Sequence, residues 1–213
     1  MKKGISEYKL VKIAVESLSN SLRLHFDSIL LYKNESFPTA FQISVLSLEE
    51  LAKAKWVEHY IFTSITNEGC PDEALEQKWF QSLYNHPEKQ RAFMGQEIFE
   101  YSPKFADFVK NRKLEEKKQN ATYVGLTRIK GKVDASSRVS TPKRIKEKDA
   151  TQIISLVNNA FLEIYELIQF QEVYFDLPGM DELLNEEIGT KLIKWPYKTG
   201  LKSRKWFNVW FPK

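Results

Sequence analysis

Residues 20–56, NSLRLHFDSILLYKNESFPTAFQISVLSLEELAKAKW, hold two helical patterns on either side of a short, punctuated connection. The first pattern extends back to give a helix over about 5–32. Tyr8, Val11, Val15, Leu18, Leu22 and Ile29 recur at helical spacing as one apolar stripe. Leu10, Ile13, Leu24 and Leu31 make a second stripe on another side. A helix apolar on two sides needs two packing partners, so this one is expected at the centre of the fold or at a dimer contact. Asn20, Arg23 and Asp27 align between the stripes. In the connection KNESFPTAF, Ser36 is placed to cap a second helix, with Pro38 in its first turn, where a missing N–H is tolerated. The second helix is expected to run to about residue 66.

Downstream, the pattern predicts a helix over 73–84, another starting at NHPEKQ (85–90), and a single helix from Pro103 that fades around Tyr123. Residues 125–148, GLTRIKGKVDASSRVSTPKRIKEK, break the periodicity and read as a basic loop or flexible arm. A strong helix returns at 149–170, where Ile153, Leu156, Val157, Ala160, Phe161, Ile164 and Leu167 repeat with helical period, and a short helix is expected over 178–188. The organisation is therefore an all-α helical bundle: a core over 1–127, a basic loop over 128–148, helices completing the bundle over 149–189, and a basic, aromatic-rich C-terminal tail over 190–213.

Composition supports that architecture. Of 213 residues, 42% are hydrophobic and 28% charged, enough for a core and against wholesale disorder. Eight glycines and eight prolines are sparse punctuation, favouring long helices over many short strands. Cys70 is the single cysteine, which excludes an intramolecular disulfide and a thiolate metal cluster. Three scattered histidines show no ligand spacing, so neither a metal nor another cofactor is expected. No signal-like apolar segment follows the N-terminal lysines, and no run approaches about 18 apolar residues, which points to a cytoplasmic protein without a membrane span.

The polar residues on the second helix pose the chemical question. Glu50 falls on the face shared by Ile43, Ala54, Val57 and Ile61, whereas Glu49 points with Gln42, Lys53 and Tyr60. Lys53 is within helical reach of either carboxylate. Glu50 is then either one half of a surface ion pair or a partly buried carboxylate needing a cation, with Arg23 on the first helix the natural candidate. His86, in NHPEKQ, is either a turn histidine or an acid–base group near Glu88 and Lys89. His25 and His59 lie within helices and read as structural. No phosphate-cradling glycine loop or nucleophile elbow is present.

These residues, in this order, resemble the HEPN-type AbiV family of abortive-infection proteins. The similarity lies in Asn20, Arg23 and Asp27 on the first helix and in Glu49, Glu50, Lys53 and Ala54 on the second. It continues in His86 and Lys89, and in the run holding Glu115, Lys118, Gln119, Tyr123 and Val124. Together they cover about residues 15–126. The resemblance implies a bundle built on a long antiparallel helix pair, a homodimer, and a role in bacterial defence in which the infected cell is shut down after a phage protein triggers it. Many HEPN proteins are ribonucleases with an Arg-x(4–6)-His motif. Here no arginine precedes a histidine at that interval, so any catalysis would fall to Glu50, Lys53, His86 and Arg23, with Asn20, Asp27, Glu49 and Lys89 as a supporting polar network. The targets implied are RNA or the translation machinery; the alternative is a non-enzymatic helical dimer that sequesters a protein partner.

Charge placement bears on the same choice. Eight Lys/Arg face two acids over 128–148, and seven face none over 190–213. Lys143, Arg144, Lys202, Arg204 and Lys205 are the candidate RNA-contacting cations. Trp195, Tyr197, Trp206, Phe207, Trp210 and Phe211 interleave with the tail lysines. They either stack on bases, clamp the tail to the bundle or a partner subunit, or suit a headgroup interface, and the alternation KWFNVWF (205–211) could add a strand; the clamp is favoured because six exposed aromatics invite aggregation.

Overall fold

The computed structural model of the chain describes residues 5–66, 73–95, 100–126, 128–129, 132–171 and 179–202. Its elements are α1 (Glu7–Lys33), α2 (Phe37–Thr66), α3 (Glu73–Leu83), α4 (His86–Met94), α5 (Pro103–Lys110) and α6 (Lys113–Asn120). A two-residue pair follows, β1 (Arg128–Ile129) and β2 (Lys132–Val133), then α7 (Glu147–Gln171), α8 (Met180–Leu183) and α9 (Glu186–Ile193). The fold is an all-α bundle.

α1 and α2 pack antiparallel, because their contacts run in opposite directions along the two chains. Tyr32 meets Phe37 beside the turn, Ser21 meets Ser47, and Asn20 meets Glu50. A reciprocal pair of serine hydrogen bonds joins them. Ser21 Oγ donates to the Ser47 carbonyl and Ser47 Oγ donates to that of Ser21, both at 2.7 Å. The buried line on α1 accordingly includes Ala14, Ser17, Ser21 and Ser28 beside Leu10, Leu18 and Leu22. Tyr8, expected on the buried stripe, is 74% exposed. Small side chains let two backbones come close, and hydroxyls bonded to carbonyls can be buried without an unsatisfied donor.

α2 is the most enclosed element. It packs against α1, α4, α6 and α7, and Val45, Leu48, Leu51, Ala54 and Val57 have no exposed surface. α7 covers the same core through Ile154, Leu156, Val157 and Phe161. Midway along it, Asn158 donates to the α9 carbonyl of Leu192 at 3.1 Å.

Two expectations need correction. The helix expected to run from Pro103 to Tyr123 breaks after Lys110, and Arg112 adopts a left-handed backbone (φ 59°) that redirects α6 toward the core. The basic stretch read as a loop contains β1 and β2, a bridge between Gly125 and Ser140, and a 3-10 turn at Pro142–Arg144. The short helix expected over 178–188 is found as α8 and α9, the latter capped by the Asn185 side chain.

In the tail, Trp195 and Tyr197 pack on Tyr32 with ring centroids 5.3 and 5.8 Å away, and the Trp195 indole donates to Ser155 Oγ at 2.9 Å. This part of the tail is clamped to the bundle. Trp206, Phe207, Trp210 and Phe211, and the strand-like alternation there, lie outside the described residues. Among the described residues no helix is long and apolar enough to cross a membrane.

Candidate functional site

The ionic side chains of the core gather where α2, α4 and α6 meet. Glu49 is at the centre: its side chain is 1% exposed. An isolated carboxylate in such a place would cost several kcal/mol, so its partners are what allow it to be there. Lys118 Nζ donates to Oε1 at 2.8 Å and Gln90 Nε2 to the same oxygen at 2.7 Å. His86 Nδ1 lies 2.5 Å from Oε2, and Lys89 Nζ is 4.0 Å from that oxygen.

Glu50, on the adjacent side of α2, is less enclosed. Lys53 Nζ donates to Oε2 at 2.7 Å, Lys89 Nζ to Oε1 at 3.3 Å, and Asn20 Nδ2 to Oε2 at 3.4 Å. Burial pushes its carboxyl up, but the bond and charge of Lys53, the charge of Lys89 and the Asn20 amide outweigh it and hold the group below its ordinary value. Glu115 behaves alike. Burial works against its charge, while Lys118 at 2.7 Å, Gln119 at 3.0 Å and the charge of His86 lower it.

Local sequence explains how each group gets there. Asn85 caps α4 by accepting from Glu88 N, and Pro87 occupies the first turn, so His86 is held as the first helical residue. Lys89 and Gln90 then follow one turn on, both buried. The break at Arg112 sets α6 so that Leu114 and Lys118 are buried, with Glu115 on the same side.

The expected site residues are thus partly brought together. Glu49, Glu50, Lys53, His86, Lys89 and Asn20 form one connected cluster. Arg23 does not pair with Glu50. Its guanidinium, on a side chain 62% exposed, is held by Asp27 at 2.8 Å and by Asn20 Oδ1 at 2.9 Å, and so meets Glu50 only through Asn20. The deeply buried carboxylate is Glu49, not Glu50, because α2 is covered on several sides and has no single apolar face. Gln90 was not foreseen: nothing in its spacing marks it. Lys118 and Glu115 carried a signal, their place in the run ending in Tyr123 and Val124. Those last two residues are exposed beside a groove of about 680 Å³ that Glu115 and Gln119 also line.

Among the cations expected to meet RNA, Lys143 and Arg144 are exposed on the 3-10 turn. Lys202 is not available. Its side chain is 1% exposed and paired with Glu163 and Glu100, because the chain there bridges to Tyr101 and turns inward. Arg204 and Lys205 lie outside the described residues. His25 is buried in the core and His59 is exposed. Among the described residues no group of three or more His, Cys, Asp or Glu is placed to hold a metal ion.

Chemically, the Glu49–His86 pair is the distinctive feature. An ionised carboxylate only accepts, so His86 Nδ1 carries the proton in this contact. The contact fixes one ring nitrogen and leaves Nε2 as the free position of a side chain that is 50% exposed. A buried carboxylate orienting a half-exposed histidine is an arrangement suited to general acid–base work.

No curated protein and no solved structure matches the chain. A family model described as AbiV matches residues 9–162, which span α1 through most of α7 and include the whole ionic cluster. The chain belongs to the AbiV family of HEPN-type proteins, a family of abortive-infection phage defence.

Proposed function

We propose that the protein is the effector of abortive infection, arresting the infected cell by attacking RNA, free or within the translation apparatus, with Glu49 and His86 as its acid–base pair. The observation that carries this reading is the 2.5 Å contact between the buried Glu49 carboxylate and His86 Nδ1, with the imidazole half-exposed. In the proposed step, His86 Nε2 takes the proton of a ribose 2′-hydroxyl as that oxygen bonds to the adjacent phosphorus. The bond from phosphorus to the 5′-oxygen breaks, and the proton is returned to that leaving oxygen. The products are a 2′,3′-cyclic phosphate and a 5′-hydroxyl. Lys89, next to the Glu49–His86 pair, is proposed to offset the developing phosphoryl charge, and Glu50, itself held by Lys53 and Asn20, keeps Lys89 in place. Lys143 and Arg144 are proposed to contact the RNA backbone. A cytoplasmic homodimer released by a phage protein completes the reading.

A second reading has its own support. Lys53, Lys89 and Lys118 are all largely buried and each is already bonded to a carboxylate. Such full pairing suits a clasp that fixes helix register in a non-enzymatic dimer sequestering a protein partner.

Purified wild type, His86→Ala, His86→Asn and Glu50→Gln proteins would be incubated with total cellular RNA, with phage plating measured in parallel. The asparagine amide replaces Nδ1–H but has no counterpart of Nε2, so it keeps the bond to Glu49 and removes the base. Both His86 variants are expected to lose cleavage by roughly 10²–10⁴-fold while staying folded. Full phage resistance in folded His86→Asn and Glu50→Gln would remove the catalytic assignment. Loss of resistance with RNA intact in every sample, wild type included, would establish the sequestering dimer instead.

A further inference from the structure

On another side of the bundle, a cavity of about 480 Å³ opens between α5, the start of α6, the first turns of α7 and residues 200–201. Its walls are Phe41, Phe105, Phe108, Leu114, Ile153 and Leu201. The volume falls in the range of small-molecule sites. The wall after α9 is pinned. Gly200 N donates to Gln152 Oε1 at 2.6 Å, Ser102 N donates to the Leu201 carbonyl at 2.7 Å, and Thr199 Oγ1 donates to the Gln152 carbonyl at 3.3 Å.

The rim is cationic. Lys104, Lys117 and Lys148 line it against one carboxylate, Asp149. Asp149 is already engaged on both oxygens, taking Lys117 Nζ at 2.6 Å and the Lys146 backbone N–H at 2.9 Å. Lys117 also sits over the Phe41 ring, 5.5 Å from its centroid, at the junction between rim and wall. Lys104 and Lys148 are exposed and have no ion-pair partner among the described residues. A preformed apolar chamber with two unneutralised ammonium groups at its mouth selects against neutral and cationic guests and in favour of anionic ones.

We infer that this cavity binds an amphiphilic anion, with an apolar body of medium-chain acyl size among Phe41, Phe105 and Ile153 and a carboxylate or phosphate head between Lys104 and Lys148. The apolar body supplies most of the affinity through burial, and the two lysines decide the sign of the head. The site is separate from the ionic cluster and does not depend on how that cluster works.

Calorimetric titration of the full chain with decanoate, below its micelle concentration, tests the proposal against decanol, decyltrimethylammonium and inorganic phosphate. Saturable one-to-one binding of decanoate is expected, with weaker binding of decanol, none of the cation, and little of phosphate alone. Lys104→Glu with Lys148→Glu should weaken decanoate by roughly tenfold and abolish its preference over decanol. Ile153→Trp, which fills the chamber, should remove binding of both. Equal binding of decanoate and decyltrimethylammonium would overturn the proposal, as would no saturable binding or affinity unmoved by the surface double variant. The lysine pair is exposed, so that variant remains informative if Ile153→Trp fails to fold. A chain phosphate, tested in a further arm as decyl phosphate, distinguishes a lipid-like head from a free fatty acid.

Discussion

Glu49 Oε1 and Lys118 Nζ lie 2.8 Å apart across 69 residues of chain, with both side chains nearly inaccessible to water. Removing one partner of such a pair leaves the other charged and buried, which costs about 3–5 kcal/mol. Glu49→Gln is therefore expected to lower the urea midpoint, since Lys118 and Lys89 each lose one of two counter-charges, keeping Glu115 and Glu50 respectively. Lys118→Met should be destabilising as well, because it takes a cation from both Glu49 and Glu115, although Glu49 keeps His86, Gln90 and Lys89. The double variant should cost less than the sum of the two, and a double-mutant cycle by urea unfolding measures that coupling. Strict additivity would mean that the two charges are not coupled in the folded state.

This cluster also marks where the sequence stops being readable. α1, α2 and α7 are legible because their apolar residues repeat with the helical period, and α4 because Asn85 and Pro87 announce its start. Choosing between Glu49 and Glu50 on a helical wheel presumes one buried face, and α2 is covered by α1, α4, α6 and α7. The kink at Arg112 has neither glycine nor proline to signal it, and without it α6 could not bring Lys118 to Glu49. Long-range polar contacts have no local period. The spacing of motifs in family order located His86, Lys89 and Lys118, but only coordinates show that Gln90 joins Glu49 to Glu115, donating to them at 2.7 and 2.8 Å.

His25 gives the fold a pH dependence. Asn158 donates its amide to the Leu192 carbonyl, so its oxygen faces His25 and accepts from Nε2, at 3.0 Å. Nδ1 is buried without a partner. Burial lowers the imidazole to about 4 from 6.5, only partly offset by the Asn158 bond. The unfolded chain therefore takes up a proton that the folded chain refuses. The stabilisation is complete above pH 6.5 and is lost as pH falls toward 4, amounting to about 3 kcal/mol over that window. Urea midpoints at pH 7 and pH 5 should differ for the wild type. In His25→Gln, whose amide can replace Nε2–H, the difference should shrink. An unchanged pH slope in that variant would assign the effect to other groups.

Ser21 and Ser47 set the distance between α1 and α2, and two kinds of substitution separate their roles. Ser21→Ala removes a hydroxyl bonded to the Ser47 carbonyl and leaves that contact unfilled, which should cost about 1–2 kcal/mol in thermal or urea unfolding. Ser21→Leu places a large side chain between the helices, where both serines are fully buried. Overpacking of this kind costs about 1–3 kcal/mol beyond the lost bond, and here it would also pull Asn20 away from Glu50. The leucine variant should therefore lose phage protection at a temperature where the alanine variant retains it. Equal stability of the two would mean that the helices are not held close by these residues.

Trp195 tests what the clamp does for the whole bundle. Its indole stacks edge-on against Tyr32 and Tyr197 and donates to Ser155, tying the segment after α9 to both α1 and α7. Tyr32 in turn donates to Glu147 at 2.7 Å at the first residue of α7. Trp195→Ala removes a partly buried ring, its edge contacts and one hydrogen bond, and should cost less than the roughly 3–5 kcal/mol of a fully buried Trp. Trp195→Phe keeps the ring contacts and drops the bond, which should cost only about 1 kcal/mol. Limited proteolysis reads the local consequence: the alanine variant should be cut between α9 and the C-terminus far faster than wild type, and the phenylalanine variant nearly as slowly as wild type. If the alanine variant is cut no faster, the aromatic contacts are incidental and the pinning falls to Lys202 with Glu163 and Glu100.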